Sequence, residues 1–241
     1  MKKEILLLTG FIFCTFIARA QSNNERKNSW AGGGGGGFTI GYGNQDIGGL
    51  NAFVPAGLKS FSSSQTLIGG SGYGVFGRLV LGGSGYAVTS NTVKTDSFKY
   101  SPAGGVGTFD IGYLVLKRRN LTVFPMIGIG GGSYGLKITR SGTVSASQIA
   151  GSPSREINIS HGGFVSDVSV NINFVPHPEY DEKDKSYGGF MCGLRLGYLF
   201  SLKHSDWTYS GGDISNGPDF GFNMFYIKLT FGGFGYQEKT N

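Results

Sequence analysis

The sequence has little proline, cysteine or charge, with 7 prolines, 2 cysteines and 15% charged residues among 241. Scarce proline and the lack of a three-residue glycine period exclude a collagen-like chain, although 44 residues are glycine. A helical bundle is excluded because each glycine in a helix interior costs about 1 kcal/mol. The aromatic content of 14% excludes a flexible glycine linker. An all-β protein of one domain remains.

Residues 1–20 have the pattern of a secretory signal peptide. Lys2 and Lys3 form a basic start, and residues 5–17 are uncharged and mostly apolar. Such a run is short for a membrane helix, and the small residues of Ala18-Arg19-Ala20 mark a cleavage site. We expect the mature chain to begin with a short extension over 21–29.

Cysteine and charge usage both narrow the possible functions. Cys14 lies in the apolar run, so cleavage leaves Cys192 alone and no intrachain disulfide is expected. The signal peptide carries three basic residues and one acidic residue, so the mature chain keeps +4 of the total charge of +6. This mild charge forms no basic stripe, and we expect no nucleic-acid partner.

Eight segments have the length and alternation of β-strands. In one of them Val168, Val170 and Ile172 share a face, and Asp167 and Asn171 share the other. The predicted barrel occupies residues 30–236, with a tail at 237–241. The predicted strands are 30–42, 66–76, 78–89, 98–116, 121–138, 163–175, 187–202 and 222–235.

Alternation alone leaves two architectures open, because the apolar face points inward in a soluble barrel and outward in a membrane barrel. Three features favour the membrane barrel. Several segments exceed the roughly 9–11 residues that cross lipid, and aromatic residues recur at strand ends, as in aromatic girdles. The third feature is the alternation of connection length. Short connections at 76–78, 117–120 and 176–186 alternate with longer ones at 43–65, 139–162 and 203–221, apart from 90–97.

A repeated stretch predicts the register of one hairpin. Gly-Gly-Ser-Gly-Tyr occurs at 69–73 and again at 82–86. If the chain turns at Gly77, then Tyr73 faces Gly82 and Tyr86 faces Gly69. An aromatic ring over a cross-strand glycine shields the backbone and fixes the register.

Four glycine-rich or alternating stretches are typical of one family: GGSGYG at 69–74, GIGGGS at 128–133, GFMCGLRLGY at 189–198 and FYIKLTF at 225–231. With these stretches, residues 30–236 resemble the small outer-membrane β-barrel proteins of Gram-negative bacteria, the OmpA/OmpX-like group of porin-superfamily barrels, in their Bacteroidetes-type form. The resemblance implies an eight-stranded antiparallel up-and-down transmembrane barrel, inserted by the outer-membrane assembly machinery. That machinery recognises an alternating C-terminal strand that ends in an aromatic residue. Here such a strand is present, but residues 237–241 follow it. The family implies no single activity.

Four charged residues lie on polar strand faces: Asp110, Asp167, Arg195 and Lys228. In an eight-stranded membrane barrel these side chains point into a lumen just wide enough for side chains. Buried charges need partners, so we expect a structural ion-pair network that plugs the lumen. An ion or proton path is the functional alternative.

Basic residues near the third long loop are candidates for surface contacts. Lys137, Arg140 and Arg155 would meet lipopolysaccharide phosphates if that loop faces outside. A plain solvated loop is the alternative.

Other motifs carry little chemistry. Residues 130–135 match G-x-G-x-x-G, but a strand continues where a dinucleotide site needs a helix. The tripeptide at 204–206 (His-Ser-Asp) invites comparison with outer-membrane lipid A deacylases or acyltransferases, yet three adjacent residues do not converge as a triad. His161 and His177 are isolated, and the acidic turn over 177–184 lacks calcium-loop spacing. We expect no catalytic residues, cofactor or metal.

The sequence therefore predicts a non-enzymatic, monomeric barrel in the outer membrane of a Gram-negative bacterium. Its lumen is expected to be plugged by charge, and its role structural or in surface interaction. A small pore or hydrophobic-solute conduit is the first alternative. An outer-membrane lipid-modifying enzyme is the second.

Overall fold

The structure is a computed structural model, and it describes most of the predicted mature chain. The described residues are 30–55, 60–118, 120–141, 156–182, 185–209, 212–215 and 217–238. The predicted signal peptide and N-terminal extension lie outside these ranges, as do the last residues of the predicted tail.

Eight long strands form a closed antiparallel barrel in which each strand pairs with its neighbours along the chain. The last strand pairs with the first, and Thr39 lies beside Thr230 with 3.0 Å between their hydroxyl oxygens. The predicted eight-stranded up-and-down barrel is confirmed. The strands are β1 (Trp30–Gln45), β2 (Ser64–Phe76), β3 (Leu79–Thr89), β4 (Phe98–Tyr113), β5 (Leu121–Arg140), β6 (Glu156–Phe174), β7 (Ser186–His204) and β8 (Met224–Glu238).

Short elements decorate the two ends of the barrel. A single helical turn, Gly48–Asn51, lies in the connection between β1 and β2. No helix in the described ranges is long and apolar enough to span a membrane. Short strands add to the barrel sheet at Val93–Lys94, Leu116–Lys117, Glu179–Asp181, Trp207–Tyr209 and Gly212–Ile214.

The connections lie alternately at the two ends of the barrel, and their lengths overlap, since 90–97 after β3 is shorter than 175–185 after β6. The connections after β2, β4 and β6 cover 77–78, 114–120 and 175–185, and we call this side the short-turn end. The connections after β1, β3, β5 and β7 lie on the other side, the long-loop end. Because the strand number is even, β1 begins and β8 finishes at the short-turn end, as predicted.

Several strands extend beyond their predicted bounds. β5 continues to Arg140 and β6 begins at Glu156, so both ends of the predicted loop 139–162 are paired strand. In this extension β5 pairs with β6 from Tyr134 opposite His161 to Thr139 opposite Glu156. β8 likewise reaches past the predicted barrel end at 236, because its last residues still pair with β1.

The apolar face of the strands points outward. Phe164, Phe190 and Phe225 are 69%, 57% and 57% exposed, whereas Asp110 and Asp167 on the opposite face are each 1% exposed. A soluble barrel would bury its aromatic residues and expose its carboxylates. The two architectures left open by the sequence are thus resolved in favour of a barrel that turns its apolar side chains toward lipid.

The β2–β3 hairpin has the predicted register. Its two-residue turn begins at Gly77, whose positive φ of 62° suits the first position of such a hairpin. Tyr73 pairs with Gly82, and Gly69 pairs with Tyr86. A Cβ atom on Gly82 would lie 2.9 Å from the Cβ of Tyr73, so the tyrosine occupies the space that the glycine leaves.

The interior has apolar residues at both ends and polar residues between them. At the long-loop end a large buried cluster includes Leu50, Trp207 and Phe220, which are contributed by connections folded over the mouth of the barrel. Near the short-turn end two smaller clusters include Phe124 and Met191. The polar layer between them contains the charged residues predicted to face the lumen.

Candidate functional site

The centre of the polar layer is an arginine bound to two carboxylates. Arg195 on β7 donates from Nη1 to Oδ2 of Asp110 on β4, at 2.9 Å. It donates from Nη2 to Oδ1 of Asp167 on β6, at 3.0 Å. All three residues are buried, and charge-assisted hydrogen bonds of this kind are about twice as strong as neutral ones.

Strand tilt brings these residues to one height in the barrel. Directly across from Arg195 on β6 is Asn171, whereas Asp167 pairs with Leu199. In a barrel the strands tilt and their register is sheared, so inward residues displaced along neighbouring strands meet at the same level. The sequence placed these side chains on inward faces but gave no information on this shear.

Two further residues complete the hydrogen bonding of the arginine. Arg195 Nε donates to Ser169 Oγ at 3.0 Å and to the hydroxyl oxygen of Tyr226 at 3.1 Å. The Tyr226 hydroxyl in turn donates to Asp167 Oδ2 at 2.5 Å. In the two-residue alternation of their strands, Ser169 and Tyr226 fall on the same inward face as the predicted charged residues. That alternation is the only sequence signal that could have placed them in the site.

Lys228 departs from the predicted ion-pair network. It is buried in the same layer and lies directly across from Arg195, but within the described residues its Nζ has no hydrogen-bond or ion-pair partner. The ammonium lies 3.9 Å from the ring centroid of Tyr86 and 4.1 Å from that of Tyr226. Because the guanidinium fork binds both carboxylates, the lysine is stabilised by the faces of two aromatic rings instead.

Inward glycines provide the room for this layer. A Cβ on Gly128 would collide with the carboxylate of Asp110 and lie 3.2 Å from the Cβ of Asp167. A Cβ on Gly41 would lie 2.6 Å from the Cγ of Lys228. Asp110 and Lys228 therefore each lie over a glycine of the neighbouring strand, since the narrow lumen has little room for two side chains at one level.

A cavity of about 10 Å³ adjoins the polar layer, which is room for about one water molecule. Its polar lining residues include Ser71, Asp110, Asn171, Arg195 and Thr230.

Two of the predicted lipopolysaccharide-contacting residues, Lys137 and Arg140, lie on β5 at the long-loop end. Lys137 on β5 forms an ion pair with Glu156 on β6, with 2.6 Å between Nζ and Oε2, and both side chains are exposed. The hydrogen bond from Lys137 lowers the pKa of the Glu156 carboxyl. Arg140 is the exposed last residue of β5. Arg155 lies outside the described residues.

The two histidines with described side chains, His161 and His177, lie at opposite ends of the barrel. His161 is buried, with its ring 4.4 Å from that of Trp207. His177 is exposed in the β6–β7 connection, and the side chain of His204 is outside the described part. The hydroxyl of Ser205 donates to the backbone carbonyl of Gly162. Across the described residues no group of three or more His, Cys, Asp or Glu side chains is placed to hold a metal.

The G-x-G-x-x-G stretch at 130–135 lies entirely within β5. Its backbone N–H groups belong to a strand, and no helix begins there. The sequence-based interpretation of this match as chance therefore agrees with the structure.

A closed eight-stranded barrel with an apolar outer surface and a polar interior has the architecture of the small outer-membrane β-barrels. No protein-family model and no curated protein matches the chain. Among solved structures, the chain is similar to Ail, the attachment invasion locus protein of Yersinia pestis. The identity is 12%, the TM-score is 0.40, and the match covers 85% of this chain and 96% of Ail.

Two other outer-membrane structures are similar at the same low level. The outer membrane protein OprG from Pseudomonas aeruginosa has 11% identity and a TM-score of 0.35, over 87% of this chain and 96% of OprG. The transport unit of the autotransporter AIDA-I from Escherichia coli has 11% identity and a TM-score of 0.35, over 93% and 81% respectively. At such identities the function of these proteins does not transfer to this chain.

Proposed function

We propose that the protein is a non-enzymatic outer-membrane barrel with a closed lumen, serving a structural role or presenting its long-loop end for surface interaction. The observation that carries this proposal is the buried Arg195, bound by two carboxylates between apolar clusters at either end of the barrel.

The contents of the lumen favour a closed barrel over a pore. A conducting path needs continuous polar space, whereas here the mouth at the long-loop end is covered by buried apolar side chains such as Leu50 and Phe220. Below them the arginine and its partners span β4, β6, β7 and β8. The cavity beside this layer accommodates about one water molecule, which is too little for a hydrated ion.

The length of the strands favours a surface role. β5 has 20 residues and β6 has 19, whereas roughly 9–11 residues cross a bilayer. The excess forms a paired extension at the long-loop end, to which the Trp207–Tyr209 strand adds. We assign this end to the cell exterior, where Lys137, Arg140 and Arg155 would contact lipopolysaccharide phosphates.

Location, insertion and assembly state belong to the same proposal. The outward apolar belt needs a lipid environment, and delivery to the outer membrane requires the assembly machinery that inserts such barrels. The protein acts as a monomer in this proposal. A lipid-modifying enzyme would need a nucleophile, a base and an acid brought together, and in the described residues Ser205 bonds to backbone instead.

Two measurements test the proposal together. The mature protein should fractionate with outer membranes and migrate faster on a gel unboiled than boiled, since a closed barrel resists unfolding in detergent. In planar bilayers the purified protein should show no channel conductance. Recovery as a soluble periplasmic protein would contradict the location, and steady single-channel currents would favour the pore.

Surface binding is tested separately. Vesicles containing lipopolysaccharide should retain more of the protein than vesicles of phosphatidylethanolamine alone. Arg140→Gln should reduce that difference, while Arg78→Gln, in the turn at the opposite end, should not. Equal retention by both vesicles would remove lipopolysaccharide from the proposal and leave the closed barrel unaffected.

A further inference from the structure

The two carboxylates of the polar layer are not equally satisfied. Asp167 accepts from Arg195 on one oxygen and from Tyr226 on the other. Asp110 accepts from Arg195 on Oδ2, while its Oδ1 is buried and has no partner among the described residues. An unsatisfied buried carboxylate oxygen is costly, so this atom requires a donor.

A second buried polar atom without a described partner lies in the same place. The side-chain nitrogen Nδ2 of Asn171 is buried and bonded to nothing in the described chain. Asn171 lies directly across from Arg195 on the neighbouring strand. Asp110 and Asn171 both line the cavity of about 10 Å³, so the residue with the unpartnered acceptor and the residue with the unpartnered donor border the same small space.

We propose that this cavity is a binding site for one water molecule, which donates to Asp110 Oδ1 and accepts from Asn171 Nδ2. The volume is about that of a single water, and buried waters typically bind two to four polar partners. The hydroxyls of Ser71 and Thr230 also border the cavity. Both already interact with Thr39, at 3.3 and 3.0 Å, so they are secondary neighbours.

The charges around the cavity select a neutral ligand. An anion would be repelled by the carboxylate of Asp110, and a cation would be repelled by the guanidinium of Arg195, which lines the same space. The site also needs a group that donates at one side and accepts at the other. Water meets all three requirements of size, charge and hydrogen bonding.

The position of the site gives the water a structural role. It completes the hydrogen bonding of the only carboxylate of the Arg195 pair that is left half-satisfied. A single bridging water is enclosed by the apolar clusters at both ends of the barrel. The site is therefore an isolated water position and not one station of a water-filled channel.

A pair of crystal structures at about 1.8 Å resolution tests the site, with the mature protein and its Asn171→Leu variant. The wild type should show one ordered water within about 2.7–3.2 Å of Asp110 Oδ1 and Asn171 Nδ2. Asn171→Leu, which is nearly isosteric, should lose it. Ser71→Ala is the matched control and should keep the water, because the hydroxyl of Ser71 is bonded to Thr39.

Three results would overturn the proposal: an empty cavity in the wild type, a direct bond between Asn171 and Asp110, or a file of waters reaching either end of the barrel. Retention of the water in Asn171→Leu, or its loss in Ser71→Ala, would reject the assigned ligands. If the variants fail to fold, NMR on the wild-type protein in nanodiscs tests the site. Its NMR spectrum should show a cross-peak between the Asn171 amide protons and a long-lived water, and absence of that cross-peak would reject the site.

Discussion

Arg195 binds Asp167 across the β6–β7 pair, although the residue directly opposite Arg195 is Asn171. The ion pair is therefore diagonal, and the shear of the barrel is what makes it possible. Both residues are buried, so their interaction is hardly screened by solvent.

Replacing the arginine should be costly. Arg195→Ala leaves two buried carboxylates without their counter-ion and should lower the free energy of unfolding by about 3–5 kcal/mol. Changing Asp167→Asn in the same chain should recover part of that loss. A double-mutant cycle measured by urea unfolding in lipid vesicles gives the coupling energy. A coupling energy near zero, together with channel conductance by the wild type, would reject the closed lumen.

Lys228 should matter less than its neighbour Arg195. Lys228→Met keeps the length of the side chain and removes an ammonium held only by two ring faces, an interaction of about 2 kcal/mol when desolvated. Arg195→Met is the matched comparison, because it removes an equal charge that holds two carboxylates. Unfolding measured under the same conditions should rank Arg195→Met as the more destabilising change. The reverse order would show that Lys228 is the main counter-ion of the layer.

Tyr226 should contribute through its hydroxyl group. Tyr226→Phe removes the donor to Asp167 and the acceptor for Arg195 while keeping the ring beside Lys228, so we expect a loss of about 1–3 kcal/mol. Tyr198→Phe is the control, because Tyr198 lies on the outward face and is exposed. Similar losses in both variants would indicate that the Tyr226 hydroxyl adds nothing to the layer.

Glycines facing the lumen and glycines facing lipid should respond differently to a methyl group. Gly128→Ala places a Cβ against the carboxylate of Asp110 and should destabilise the barrel by about 1–3 kcal/mol through overpacking. Gly85→Ala meets nothing within 4 Å and should change stability by less than about 1 kcal/mol. Thermal unfolding of both variants, followed by the gel shift between folded and boiled protein, distinguishes them. Equal losses would contradict the assigned faces.

An arginine on the outward apolar face should destabilise the barrel most at the middle of the strands. Leu196 is exposed on β7 between Phe190 and Phe200, and Leu196→Arg should cost about 2–4 kcal/mol in a bilayer. Leu202→Arg, on the same face near the long-loop end, should cost about 1 kcal/mol or less because the charge reaches the interface. Equal costs measured by vesicle unfolding would show that the belt is misplaced along the strands.

The strand count and the inward charges were predictable because both depend on the two-residue period of a strand. The alternation within each strand places Asp110 and Asp167 on the polar face, and no knowledge of the neighbouring strands is needed. The register of β2 with β3 was predictable as well, because a two-residue turn at Gly77 leaves only one alignment of the repeated stretch. Local geometry determines each of these features.

Other features depend on relations between distant strands, which a single sequence does not encode in any simple pattern. Alternation alone did not give the direction of the apolar face, since it is the same in both architectures, and the prediction depended on strand length, aromatic placement and connection length. The sequence could not show that Arg195, and not Lys228, binds the carboxylates. That outcome depends on the shear of the barrel and on the position of Tyr86. The length of the β5–β6 hairpin was underestimated, although its outer part keeps an apolar face in which Leu136, Ile138 and Ile159 pack into the cluster at the long-loop end.

The closure of the barrel by Thr39 and Thr230, 191 positions apart in the chain, determines the order in which the protein is completed. The first strand has no permanent neighbour on one side until the last strand has been synthesised and delivered. Until that moment the edges of β1 and β8 remain open templates for pairing with other chains. Contacts between such distant segments form slowly. The newly made polypeptide must therefore be kept apart from its copies until its two ends meet.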